Sequence, residues 1–266
     1  MADIFFAGVD VGSLSTDVVI IDSSRKMLTE VVLATGVNGA DAAKTAFNSA
    51  LEFGGISKDQ IKGVTATGYG RGSVAFATGK TTEISCHGVG AHHLFPGTGT
   101  VIDIGGQDSK VIQVDNRGRM LDFTMNDKCA AGTGRFLEVM ADRLEFGLNE
   151  LSDPLHIAGD SVPISSTCTV FAESEVISLL AKHTPREQIV NGLQRSIANR
   201  IWSMVTSIGI QGEVTLTGGV ANNQGLVIVL EEKLGRKLNL PENPQTVGAL
   251  GAALIAEQSY TRSKAN

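Results

Sequence analysis

The chain has no uninterrupted apolar run long enough to span a bilayer, and its opening stretch, MADIFFAGVDVG, is broken by Asp3 and Asp10, unlike a secretory signal. A cytoplasmic protein with no membrane to bind is expected. Nor is there an excess of basic charge: 22 Lys and Arg against 28 Asp and Glu leave a formal charge of −6. That balance argues against a grip on nucleic acid or on an anionic lipid surface. Cysteine is scarce and odd in number, with Cys86, Cys129 and Cys168 alone. A disulfide-stapled secreted framework does not fit, and the thiols are left for chemistry or for packing. No GxxxxGK[ST] pattern occurs, which disfavours a Walker-type nucleotide fold.

What is abundant is glycine, 31 residues against 6 prolines, and it is clustered. Clusters of that kind mark tight turns or places where backbone approaches a ligand. IFFAGVDV at 4–11 reads as a buried strand, GSLST as a turn and DVVIID at 17–22 as a second strand. The pattern returns in VIDIGGQDSKVIQVD at 101–115: Asp10 matches Asp103, Gly12 matches Gly105, Ser15 matches Asp108, Thr16 matches Ser109 and Asp22 matches Asp115, all at one offset. A repeated hairpin at such a distance implies two related halves facing one cleft. Helical stretches are expected at 39–53, after Tyr69, at 86–95, at 186–208, from the GGVANN turn to Leu234, and at 246–258; strands are expected at 61–67 and 213–217. Helical spacing also appears at Phe136, Val139, Met140 and Leu144, and at Val170, Phe171, Ile177 and Leu180. The alternation makes the class α/β. The expected domains are 1–97 with 246–266, and 98–245; the tail TRSKAN is expected to fray.

Backbone N–H groups in a Gly-rich turn can point inward together and cradle a phosphate. DVGSLSTD at 10–17 offers Gly12, Ser13, Leu14, Ser15 and Thr16, and DIGGQDSK at 103–110 offers Gly105, Gly106, Gln107 and Asp108. Asp10 and Asp103 can hold Mg2+ through water beside phosphate oxygens, or can merely cap their turns. Gln107 and Asp108 are candidates to orient an attacking water. TGGVANN at 217–223 is a third glycine turn between strand and helix, with Gly218, Gly219, Val220 and Asn222 on the adenosine side and Gln245 as a further candidate. Alone it is an ordinary connection. Following two phosphate turns, it has the spacing of an adenosine loop in the actin, hexokinase and heat-shock ATPase superfamily, a ribonuclease H-like fold.

NDKCAAGTGRFLEVMA at 126–141 puts Cys129 ahead of a glycine-led helix start that includes Gly134 and Arg135, and STCTVFAESEVISLLA at 166–181 puts Cys168 in the corresponding place. The positive end of a helix dipole favours a thiolate, although small apolar cysteines near helix ends also arise by packing alone. Cys86, in EISCHGVGAHHLF with His87, His92 and His93, reads as a helix residue facing core or cleft rather than as a metal ligand.

These two cysteine segments, with DVGSLST, DIGGQDSK and TGGVANN in the same order, closely resemble the ATP-dependent activators of 2-hydroxyacyl-CoA dehydratases, a family that also includes ATPase subunits of benzoyl-CoA reductases. The resemblance covers nearly the whole chain. It implies a homodimer holding one 4Fe-4S cluster at its interface, with Cys129 and Cys168 of both protomers as the four ligands, and ATP or ADP with Mg2+ in the cleft. It further implies reduction by a ferredoxin or flavodoxin, delivery of one electron to a dehydratase, a hinge-type transition driven by ATP, and oxygen sensitivity. Structural zinc on the same thiolates, a benzoyl-CoA reductase-type partner, a small-molecule kinase on the same fold and an assembly ATPase without redox chemistry are the alternatives.

Overall fold

The computed structural model describes residues 4–157, 159–165 and 168–265. The chain divides into two compact units, Met1–Gly99 with Val114–Leu121 and Pro241–Asn266, and Thr100–Gln113 with Asp122–Leu240. The strands of the first sheet are β1 (Phe5–Val11), β2 (Ser15–Asp22), β3 (Met27–Ala34), β4 (Ile61–Thr67) and β5 (Gly79–Lys80); those of the second are β6 (Thr98–Ile104), β7 (Ser109–Val114), β8 (Met120–Asn126), β9 (Glu213–Thr217) and β10 (Leu238–Asn239). The helices are α1 (Gly39–Gly54), α2 (Glu83–Leu94), α3 (Gly134–Leu144), α4 (Leu148–Leu151), α5 (Thr169–Ala181), α6 (Arg186–Ile208), α7 (Gln224–Leu234) and α8 (Val247–Ala265).

In the first sheet the order is β3-β2-β1-β4-β5, with β1 antiparallel to β2, β2 antiparallel to β3, and β1, β4 and β5 parallel. β1 is buried along its whole length because helices cover both its faces, which explains its nearly continuous apolar sequence. Phe5, Ala7, Val9 and Val11 pack with Ala43, Phe47 and Ala50 of α1, whereas Phe6 packs with Ala249 and Ala253 of α8. Gly8 lies on the α8 face, where a Cβ would collide with the Ala249 carbonyl oxygen, so helix and strand approach too closely for any side chain. Asn38 starts α1 by accepting from the Ala40 and Asp41 N–H groups, and Gly55, at φ 62°, ends it in the left-handed conformation.

The second sheet runs β10-β9-β6-β7-β8, the same order once β6 to β10 are set against β1 to β5. β6 and β7 are antiparallel and β9 and β10 parallel, as in the first sheet. Its core joins Ile102 and Ile104 of β6, Phe136, Met140 and Leu144 of α3, and Ile189, Leu193, Ile197 and Ile201 of α6.

Several sequence expectations are corrected. β3 and β8 were not expected as strands: both are sheet edges with much of their surface exposed, so neither shows the alternation of a half-buried strand. α8 continues through Tyr260 and Lys264, where the tail was expected to fray; the Lys264 ammonium lies 5.6 Å over the Tyr260 ring. On α5 the apolar spacing runs across two faces, Leu180 packing against the core and the other three lying open. Val170, Phe171 and Ile177 are exposed, at 66%, 63% and 51%, and the buried residues are Ala172 and Val176.

Candidate functional site

β1 ends at Val11 and β2 begins at Ser15, so the first turn is Gly12, Ser13 and Leu14, while Ser15 and Thr16 open the next strand. The Gly12 N–H donates to the Ser15 carbonyl at 2.9 Å. Thr35 braces the turn from behind: its N–H donates to the Leu14 carbonyl and its hydroxyl to the Gly12 carbonyl, both at 2.9 Å. The Thr16 hydroxyl is buried and shares a hydrogen bond with that of Thr35, so it supports the turn and is turned from solvent. Ser13 and Leu14 are exposed at the tip. Gln245 Nε2 donates to Ser15 Oγ at 2.8 Å, and Ser15 Oγ donates to Asp17 Oδ2 at 3.1 Å; Gln245 is thus placed beside this first turn.

Asp10 and Asp17 stand directly opposite in the β1–β2 register, and opposed residues of an antiparallel pair share a face. Both are buried, and Asp17 Oδ1 has no hydrogen-bond partner. Burial pushes the Asp17 carboxyl up to about 7 against the pull of the Ser15 hydroxyl. Room for Asp10 is made by two glycines: a Cβ on Gly248 would collide with Asp10 Oδ2 and lie 3.0 Å from His87 Nε2, and one on Gly68, at φ 81°, would collide with Asp10 Oδ1.

The second turn repeats the first with different support. The Gly105 N–H donates to the Asp108 carbonyl at 3.0 Å, and Gln107 is exposed at the tip. Here the brace is a helix start: the Gly134 N–H donates to the Gly105 carbonyl at 2.9 Å and the Arg135 N–H to the Gly106 carbonyl at 2.8 Å. A Cβ on Gly134 would lie 3.3 Å from both Gly106 Cα and Val220 Cγ2, so the second turn, the α3 start and the third turn are gathered together. Across from Asp103 in the register stands Lys110. Its ammonium is buried, 3.2 Å from Asp103 Oδ2 and 2.8 Å from Asp108 Oδ1. Thr217 Oγ1 donates to Asp103 Oδ1 at 3.0 Å, and Asp108 Oδ2 has no hydrogen-bond partner.

The third turn follows β9. Gly218, at φ 87°, lies where a Cβ would collide with the Ile104 carbonyl oxygen and stand 2.8 Å from Asp103 Oδ1. Gly219 and Asn222 are exposed, Val220 is buried, and Asn222 Nδ2 donates to the Gly219 carbonyl at 3.2 Å. Lys110, Asp17, Thr217 and the Thr67-Gly68 pair were not among the expected site residues. The offset that matches Asp10 to Asp103 also sets Lys110 against Asp17, and Thr67-Gly68 after β4 repeats as Thr217-Gly218 after β9; either signal could have found them.

Cys168 is the N-cap residue of α5, and its carbonyl accepts from the Ala172 N–H at 3.0 Å. Ser166 and Thr167 of that motif lie outside the described residues. Cys129 was expected immediately before a helix, but Ala130–Thr133 intervene before α3, with Gly132 at φ 91° turning the chain. Asn126 Nδ2 holds that loop by donating to the Cys129 carbonyl at 2.7 Å, and Arg200 Nη2 donates to Asn126 Oδ1 at 3.2 Å. Both thiols are half-buried, whereas Cys86 is buried and desolvation holds its thiol far above the usual range. Among the described residues no three His, Cys, Asp or Glu side chains gather to hold a metal ion.

Exposed turn tips with buried acids behind them suit anionic oxygens accompanied by a cation. Comparison with known proteins agrees with that chemistry. The activator of lactoyl-CoA dehydratase from Anaerotignum propionicum is 45% identical over 252 residues, 95% of this chain and 97% of that protein. The solved activator of 2-hydroxyisocaproyl-CoA dehydratase from Clostridium difficile, with bound ADPNP, superposes with a TM-score of 0.92 at 41% identity, over 98% of this chain and 97% of that one. A ROK family glucokinase from Streptomyces griseus, 13% identical, shares the fold alone, with a TM-score of 0.61 over 96% of this chain and 99% of that one; the fold is that of actin and hexokinase. The model of the BadF/BadG/BcrA/BcrD ATPase family matches residues 7–256, and with relatives this similar over nearly the whole length the chain belongs to that family of ATPases.

Proposed function

We propose that this ATPase is the reductive activator of a 2-hydroxyacyl-CoA dehydratase: a cytoplasmic, oxygen-sensitive homodimer that takes electrons from a ferredoxin or flavodoxin and passes them singly to its partner as ATP is hydrolysed. Four thiolates are required by a cubane cluster, and Cys129 and Cys168 give two per chain, so two protomers supply the set. The donor set fits: both thiols are half-buried, and Cys168 caps the positive end of α5. When bound, a 4Fe-4S cluster supplies one-electron reduction at the thiol loops.

The observation that carries the reading is the direct bonding of the second turn to α3. The Gly105 and Gly106 carbonyls accept from the first two amides of α3, and Cys129 lies in the loop leading into that helix. A change in the phosphate held at Gly106 and Gln107 therefore reaches the Cys129 loop through hydrogen bonds and one rigid helix. α3 in turn is tied to α5 by Arg143 Nε donating to Glu173 Oε1 at 2.6 Å. Beyond Cys168, α5 leaves Val170 and Phe171 exposed, an apolar surface suited to a protein partner. Within the second unit the turn tip at Gly106 and Gln107 suits phosphate oxygens of ATP and Gly218, Gly219 and Val220 suit its nucleoside; the tip at Ser13 and Leu14 offers the first unit the same phosphate chemistry. Mg2+ fits the first half, where Asp10 faces Asp17 and Asp17 Oδ1 is unpartnered. Gln107, exposed at its tip, orients the attacking water.

Oxygen-free purification tests this reading. A brown dimer with about four irons, an electron paramagnetic resonance signal that changes with nucleotide, and ATP-dependent reduction of a dehydratase are expected. A colourless or zinc-loaded protein, or a monomer that phosphorylates a sugar or acid, would overturn it.

A further inference from the structure

Lys110 is buried, with 3% of its side chain exposed, and its ammonium is taken up by carboxylates, so it is poorly placed to touch a phosphate itself. It is instead enclosed with two carboxylates that are 4% and 8% exposed, 3.2 Å from one and 2.8 Å from the other. Asp103 belongs to the strand end and is held on its other oxygen by Thr217. Asp108 belongs to the turn itself: its carbonyl accepts from Gly105, and its Oδ1 lies 2.8 Å from where a Gly105 Cβ would stand. One ammonium thus joins the strand-end acid to the shape of the turn. Without it two buried carboxylates would face each other, and would take up a proton, draw in a cation or move apart. The register-equivalent position in the first sheet, Asp17, supplies no such cation.

We propose that Lys110 is a positioning residue for ATP hydrolysis: a built-in counter-cation that locks Asp103 and Asp108 into one arrangement, so that the second turn works without a metal ion of its own and the magnesium requirement is carried by the first. This inference rests on the ATPase alone. Loss of iron from the protein would end the electron-transfer reading and leave this one standing.

Lys110→Met, Lys110→Arg and Lys110→Ala are compared with the wild-type chain. Hydrolysis is followed against ATP and against Mg2+, binding of a fluorescent ADP with and without Mg2+, and thermal unfolding by circular dichroism. For Lys110→Met, kcat should fall roughly 100-fold while the Kd for ADP moves less than about threefold, the split expected for an interaction that matters in the transition state. The Mg2+ midpoint should rise, because turnover then needs an ion to refill the place between the two acids. Lys110→Arg should recover part of kcat. Lys110→Ala should regain about tenfold in n-propylammonium, which leaves the wild type unchanged, because the small cation can refill the vacated place. A kcat within about threefold of wild type at an unaltered Mg2+ midpoint would overturn the role. So would parallel losses of ADP affinity, kcat and thermal stability that no amine restores. Where Lys110→Met does not fold, Lys110→Ala purified in the amine decides between the same two outcomes.

Discussion

The two halves share strand order, turn length and the strand-end aspartate, yet they place opposite charges across from it: Asp17 faces Asp10, and Lys110 faces Asp103. In the second half one lysine bridges two buried acids from within, at 3.2 and 2.8 Å. In the first the residue across the register is itself an acid, and the carboxyl of Asp17 is raised to about 7 because burial disfavours its charge. A repeated fold has thus been divided in labour, one half leaving an oxygen of Asp17 open to a bound cation and the other setting a lysine among its acids. The thiol loops sharpen the contrast. Cys129 and Cys168 both belong to the second half, beside the turn that needs no outside cation.

The largest effect should come from those thiols. Cys129→Ala or Cys168→Ala should abolish iron binding in oxygen-free material while ADP binding persists, since the nucleotide turns lie outside both cysteine loops; iron retained in both variants would remove the thiols from the contrast. Next is the acid pair. A carboxyl raised from 3.8 to about 7 by folding adds protons to the native state, so its contribution to stability is whole below the unfolded value and is lost as pH rises through about 7. Without nucleotide or Mg2+, urea titrations from pH 4 to 8 should show a loss of about 4 kcal/mol that Asp17→Asn flattens; identical slopes in both proteins would deny the first half its raised carboxyl.

Third, the halves should respond alike where they are alike. Gly68 and Gly218 occupy left-handed positions over their strand-end acids, and alanine at either should cost about 3 kcal/mol in urea unfolding. A cost at one position only would break the equivalence. The smallest difference separates the threonines that precede them. Thr217 donates to Asp103, whereas the Thr67 hydroxyl, near the Cys86 thiol, makes no hydrogen bond among the described residues. Thr217→Val should cost about 2 kcal/mol and Thr67→Val about 0.5 kcal/mol or less, measured the same way.

Much of this arrangement was legible in the amino-acid sequence because it is local. The hairpins, β4, α6 and β9 follow directly from apolar runs bounded by glycine, and the turns were found because each is a run of small residues repeated at one offset. β3 and β8 were not legible, since edge strands bury one side incompletely and so lack a clear alternation of buried and exposed residues. α5 is apolar over most of its circumference, so spacing alone could not separate a face packed on the core from one left exposed. Lys110 and Asp17 were passed over for another reason, although the offset of the repeat pairs them. Their meaning lies in strand register, which sets each against an acid seven residues earlier, and a lysine or aspartate in an alternating strand otherwise reads as its solvent side.

The close seat of α8 on β1 bears on how the molecule is made. Gly8 admits the Ala249 carbonyl to the sheet, and the face of β1 that carries Phe6 is covered by α8. On the ribosome that strand is translated before the second half, whereas its covering helix emerges only after every residue of that half. The half begun first is therefore completed last, with one flank of its sheet uncovered throughout elongation, a period in which a chaperone is the natural stand-in for the missing helix.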